Sequence, residues 1–194
     1  MLIIDDHCQG KKVVLVGYSL ESFVAAAFVD KYPDMIVGAA LGGAGMDLSS
    51  SFKGRMIGKL MRLMGTSMSS STKAKFASQQ RESPEVDSTD FDKCVQEPGL
   101  FFWSNANETV DVLLSVQIRE ILKRTPRHLA KNVWLFVGSK DALDFVEGWT
   151  EMTGGGKAIV YDGVGHELPF TSNVEIRKKF HADLIELAGR CFQG

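Results

Sequence analysis

Four short, uninterrupted apolar runs rich in β-branched residues constrain this chain most: residues 12–17, 36–41, 132–137 and 158–161. A run that is continuous rather than alternating suits a strand covered on both faces, as in a parallel sheet flanked by helices. The intervening segments agree. After the first run, Leu20, Phe23, Val24, Ala27, Phe28 and Lys31 recur at helical spacing until Tyr32-Pro33-Asp34 stops the helix. The second run closes at Gly42-Gly43, completing a strand–helix–strand unit. The third ends in Gly138-Ser139-Lys140-Asp141, and a helix over roughly 142–152 then leads to a Gly154-Gly155-Gly156 turn. The fourth runs into Asp162-Gly163-Val164-Gly165-His166, and a closing helix over about 173–190 turns Ile176, Phe180, Leu184, Ile185 and Leu187 inward. The expected class is α/β, with a parallel sheet of about four strands.

The middle of the chain differs. Between about 45 and 126 no run reads as a strand. Residues 52–64 form a basic, methionine-rich amphipathic pattern, 66–72 a Ser/Thr-rich loop, and 78–99 a polar stretch broken by Pro84 and Pro98. Residues 108–124 predict one amphipathic helix striped by Val112, Leu113, Val116, Ile118, Ile121 and Leu122. The methionine-rich helix reads either as an ordinary packed helix or as one whose thioethers line an apolar substrate or touch a membrane surface. Leu100-Phe101-Phe102-Trp103 reads as core of this segment or as the wall of an acyl pocket.

Composition narrows the function classes. The 194 residues carry 22 Lys and Arg against 24 Asp and Glu, a net charge of -2. That balance does not suit a nucleic-acid surface. Cys8, Cys94 and Cys191 lie far apart and show no metal-ligand or disulfide spacing. The first residues hold only three apolar positions before two acids, unlike a signal peptide, and no apolar run approaches a membrane span. A cytoplasmic protein in a reducing compartment is the expectation.

Chemistry concentrates at the strand ends. Ser19 stands in Gly17-Tyr18-Ser19, at the turn from the first strand into its helix. A serine there is raised above the sheet edge, and the N–H of Leu20, at the helix N-terminus, faces any oxyanion that forms. A hydroxyl is a weak nucleophile unless a general base takes its proton and a carboxylate orients that base. Asp141 follows the third strand and His166 the fourth. Active groups in open parallel sheets gather at these carboxyl ends. Structural readings stand beside the catalytic ones: Ser19 as a helix cap, Asp141 as a cap for 142–152, Asp144 as the rival carboxylate, and His166 as a loop residue. His7, His128 and His181 read as surface or terminal residues.

On the elbow at Gly17-Tyr18-Ser19, the helix end Lys31-Tyr32-Pro33, Gly138-Ser139-Lys140-Asp141 and Gly163-Val164-Gly165-His166, the chain resembles the α/β-hydrolase fold family, particularly its single-domain members with a helical cap. The resemblance implies a core over 1–44 and 127–194, from about the fifth to the eighth strand, and a cap over 45–126. It implies a serine hydrolase acting on a small-molecule ester or related acyl bond. Ser19 would be the nucleophile, Asp141 and His166 its partners, and Leu20 an oxyanion donor, with no cofactor or metal. Serine at the elbow argues against the dehalogenase and epoxide hydrolase branches, which carry Asp there.

The chain departs from the family pattern twice. Glu21 occupies the last glycine of G-x-S-x-G, and the first strands, with the His-Gly loop that supplies a second oxyanion donor, have no counterpart. The first strand is therefore expected to present an apolar edge, paired with a missing N-terminal half or another chain. These departures support a second reading, a catalytically impaired binding or regulatory protein, or an inactive fragment of a longer hydrolase.

Overall fold

A computed structural model describes residues 10–44, 56, 112 and 114–193. Four strands form one sheet in the order β1 (Val13–Tyr18), β2 (Ile36–Gly42), β3 (Val133–Gly138) and β4 (Ala158–Tyr161), every neighbouring pair parallel. The helices are α1 (Leu20–Lys31), α2 (Ile118–Arg124), α3 (Arg127–Ala130), α4 (Trp149–Thr153) and α5 (Val174–Phe192). Each apolar run became a strand within a residue of its expected ends.

The continuous runs are explained by the two cores that they separate. Val133, Leu135 and Val137 of β3 point to one face, packing with Phe23, Ala26 and Val29 of α1, Ile118, Ile121 and Leu122 of α2, and Phe145 and Trp149. Trp134 and Phe136 alternate to the other face, against Tyr161, Leu168 and the α5 residues Phe180, Leu187 and Cys191. A strand buried on both sides has no position for a polar side chain. Gly38 in β2 makes room for α5, since a Cβ there would stand 2.3 Å from Cys191 Sγ.

Three expected elements differ. The helix over 108–124 is interrupted at Val116 and Gln117 before α2 begins. Val116 and Ile118 lie two residues apart, a spacing that one helical face cannot bury, and the break lets both pack on the first core. The segment 142–152 is a series of turns through Gly148, whose φ of 73° is left-handed, and becomes helical only at Trp149. In α5 the inward stripe is Phe180, Leu187 and Cys191, with Ile176 and Leu184 partly buried, while Ile185 is 72% exposed. Ile185 adjoins Leu184 and falls off the stripe. Asn173 starts this helix as its cap, its Oδ1 accepting from the N–H groups of Glu175 and Ile176.

Of the expected cap over 45–126, residues 56, 112 and 114–126 are described, and α2 within it packs in the first core. The methionine-rich helix apart from residue 56, Leu100-Phe101-Phe102-Trp103, Cys8, Cys94 and His7 lie outside the described residues. Among the described residues, His128 and His181 are exposed, and no helix is long and apolar enough to cross a membrane.

Leu187 and Ile185 test the burial pattern of α5. Leu187→Ala is expected to cost about 2–5 kcal/mol and Ile185→Ala under about 0.5 kcal/mol, measured as shifts in urea unfolding. Equal costs would contradict the orientation.

Candidate active site

The carboxyl ends of β1, β3 and β4 bring three side chains together. Ser19 follows β1 and is the only residue other than glycine with positive φ among the described residues, at φ 56° and ψ -120°. An L-residue held there stores on the order of 1–3 kcal/mol of strain. The surroundings enforce it. Ser19 N–H donates to Gly42 O at 2.7 Å, and Ser22 N–H returns to Ser19 O at 3.1 Å. Gly17 lies so close to the start of α1 that a Cβ would stand 2.3 Å from Glu21 O. The elbow's need for glycine is therefore met at position 17. Glu21 contributes its main chain to this close approach and is itself exposed.

Asp141 closes the turn after β3, its N–H donating to Gly138 O at 3.1 Å. His166 arrives on the loop after β4, anchored by buried Val164 and Leu168 on either side. Ser139 joins the two loops: its Oγ accepts from Gly163 N–H at 2.9 Å and donates to Asp162 Oδ1 at 3.2 Å. Gly138 allows the approach, because a Cβ there would meet Val164 O at 2.3 Å and Gly165 O at 2.4 Å.

The three side chains stand in series within hydrogen-bond distance. His166 Nδ1 lies 2.8 Å from Asp141 Oδ2, and His166 Nε2 lies 2.9 Å from Ser19 Oγ. With the ring proton on Nδ1 donated to Asp141, Nε2 accepts from the serine hydroxyl. Asp141 Oδ1 accepts from Ala142 N–H at 2.8 Å, so both carboxylate oxygens are occupied. The helix-cap readings fare differently from this arrangement. Ser19 makes no side-chain cap bond to α1, and the amide that Asp141 accepts from is that of the adjacent Ala142, with turns following it. Asp144 is exposed, and the carboxylate against His166 is that of Asp141. Leu20 is the first residue of α1, where the amide precedes the helix's own hydrogen-bond ladder.

Charge and burial oppose each other within the pair. Burial alone would raise the Asp141 carboxyl, but the bond and charge of His166, with the Ala142 amide, hold it below the ordinary carboxylate range. The bond to Asp141 raises the His166 imidazole above its ordinary value against burial, aided by the charges of Asp141 and Glu167. The histidine's contribution to stability is therefore complete below about pH 6.5 and fades as pH rises through the raised folded-state value. The aspartate's contribution is present above about pH 3.9 and fades as pH falls through the lowered value.

Sequence reasoning missed Ser22 and Ser139. Ser22 is fully buried, and its Oγ lies 2.9 Å from Gly17 O and 2.7 Å from Gly42 O, tying the ends of β1 and β2 under the elbow. A serine one turn into an apolar helix, after an apolar run that closes on Gly17 and before one that closes on Gly42, is the signal that could have found it. Among the described residues no cluster of His, Cys, Asp and Glu could hold a metal, and Cys191 is a buried free thiol.

Comparison with known proteins supports this architecture through structure alone. No protein-family model matches the sequence, and no curated protein matches it by sequence. Solved structures do. A highly thermostable carboxyl esterase from Bacillus coagulans, 15% identical, matches with a TM-score of 0.64 over 98% of this chain and 68% of that one. A carboxylesterase structure from the ammonia-oxidizing thaumarchaeon Nitrososphaera gargenis, 13% identical, matches at 0.69 over 99% and 70%. A monoacylglycerol lipase from Paleococcus ferrophilus, 19% identical, matches at 0.60 over 95% and 72%. Identities this low speak for fold, and the fold is the α/β-hydrolase fold.

Ser22→Ala removes the buried hydroxyl whose single proton serves Gly17 O and Gly42 O, the latter keeping the Ser19 amide. The expected loss is about 1–3 kcal/mol, read from thermal and urea unfolding. A neutral result would remove Ser22 from the elbow's support.

Proposed function

We propose that the chain is a serine hydrolase cleaving a carboxylic ester or related acyl bond through an acyl-enzyme. The observation that supports it most is the 2.9 Å approach of Ser19 Oγ to an imidazole whose far nitrogen is held 2.8 Å from a carboxylate. As Ser19 Oγ attacks the acyl carbon, His166 Nε2 takes its proton and Asp141 stabilises the imidazolium that forms. The carbonyl oxygen, now negative, is met by the Leu20 N–H at the head of α1. His166 then protonates the leaving alcohol, and a water deprotonated by the same nitrogen releases the acid and restores Ser19. Nothing in this sequence of steps calls for a cofactor or metal.

In this reading the cap that shapes the acyl or alcohol pocket lies within residues 45–126 but upstream of α2, whose Ile118, Ile121 and Leu122 pack in the first core. The substrate is a small-molecule ester, thioester or kindred acyl compound, met in a reducing cytoplasmic setting consistent with the unpaired Cys191. Among the described residues β1 pairs only with β2, and its Val16 is 64% exposed. An edge of this kind invites a further strand, from elsewhere in the same protein or from another chain.

The base must be neutral to act, and its pair with Asp141 raises its pKa. Activity toward p-nitrophenyl esters is expected to rise with pH through an ionisation above the ordinary histidine value. Asp141→Asn should move that ionisation down and lower kcat on the order of a thousandfold or more. A fluorophosphonate probe should label wild-type protein and leave Ser19→Ala unlabelled. Folded wild-type protein that takes no label, or Ser19→Ala labelled equally, would sink the proposal.

A further inference from the structure

The residue before Ser19 reaches the opposite end of the site. Tyr18 is the last residue of β1 and pairs with Gly42 of β2. Its ring crosses the glycine pair that ends β2: a Cβ at Gly42 would stand 2.3 Å from Tyr18 Cδ2, and one at Gly43 2.9 Å from Tyr18 Cε1. No side chain fits between ring and strand, so the two glycines form a slot for the phenol. Through that slot the Tyr18 hydroxyl donates to the main-chain carbonyl of His166 at 2.6 Å, joining residues 148 apart in sequence. The histidine shares the slot, since the same Cβ at Gly43 would meet His166 Cε1 at 3.0 Å. The two rings stand 5.8 Å apart at 59°.

We propose that Tyr18 is a positioning residue that holds the His166 main chain and so fixes the imidazole between Asp141 and Ser19. The inference rests on the reading of Ser19 and His166 as nucleophile and base. Tyr18 touches neither reacting atom and acts through the histidine. An imidazole must keep two bonds at once, to Asp141 at Nδ1 and to Ser19 at Nε2, and a small swing of its loop lengthens one or both. The ties of that loop to the Asp141 turn, through Ser139 and Gly163, do not fix it relative to the nucleophile strand. Tyr18 supplies that second tie from the strand that carries the nucleophile. Burial, with the nearby charges of Asp141 and Glu167, raises the phenol's pKa, so it stays a donor across the neutral and alkaline range.

Tyr18→Phe keeps the ring in its slot and removes only the hydroxyl. Tyr161→Phe is the control, because it removes a hydroxyl bonded at 2.7 Å to Asp183. In the full chain, Tyr18→Phe is expected to lower the His166 pKa measured by NMR and to broaden the low-field Nδ1–H signal. It should also cut kcat for p-nitrophenyl butyrate about tenfold with KM within about twofold. Tyr161→Phe should leave all four readouts at wild-type values. An unchanged His166 pKa and Nδ1–H signal in Tyr18→Phe overturns the inference, whatever the activity. If wild-type protein neither turns over ester nor takes a fluorophosphonate at Ser19, the catalytic reading falls, and the NMR comparison still decides the role of Tyr18. Should Tyr18→Phe fail to fold, the wild-type hydroxyl proton decides. Slow exchange with water and a cross-peak to the residue 166–168 loop support the tie, and fast exchange refutes it.

Discussion

Everything at this site depends on one backbone conformation, the left-handed turn at Ser19. Sterics disfavour it for any residue with a Cβ, so it exists only because neighbours over-determine it. Gly17 lets the first turn of α1 fold back within van der Waals range of the strand. Gly42 O takes both the Ser19 amide and the Ser22 hydroxyl, fastening the elbow to the adjacent strand. Parallel pairing of β1 with β2 is thus a condition for the serine's placement as well as for the core. Because its side chain makes no cap bond to α1, the Ser19 hydroxyl is left directed at His166.

The second dependence is between loops. Asp141 and His166 leave different strands, and Ser139 with Gly163 joins those loops before the imidazole meets the carboxylate. The pair that results has opposed pH demands. Its contribution to stability is greatest between the ordinary carboxylate and imidazole values, where both groups are charged. The proposed general base acts only above that window. A chain of this design trades part of the pair's stability for a competent base as pH rises.

Much of the fold was legible in the sequence. Strands buried on both faces leave long unbroken apolar runs, and all four stood out for that reason. Ser19, Asp141 and His166 were legible because each directly follows such a run, and carboxyl ends of parallel strands converge in space. Local pattern alone did not reveal the rest. Ile185 is as apolar as Leu184, and only the packing of α5 against β2 and Trp134 decides which of them turns inward. The break at Val116 and Gln117 and the turns over 142–148 answer to the shape of the first core, which no single window of sequence contains. The hydroxyls of Ser22 and Ser139 bond main-chain groups of other elements, and such partners are invisible before the chain is folded. Glu21 violates the family pattern without occupying the crowded position, a distinction that needed Gly17's surroundings to be seen.

The central claim is that the strained serine forms a covalent acyl intermediate. Rapid-quench mass spectrometry of the chain mixed with p-nitrophenyl acetate tests it most directly. One acetyl group per chain, localised to Ser19 and formed at the rate of the p-nitrophenol burst, is the predicted result. Release of p-nitrophenol with no acetyl group on Ser19 at any quench time would contradict it.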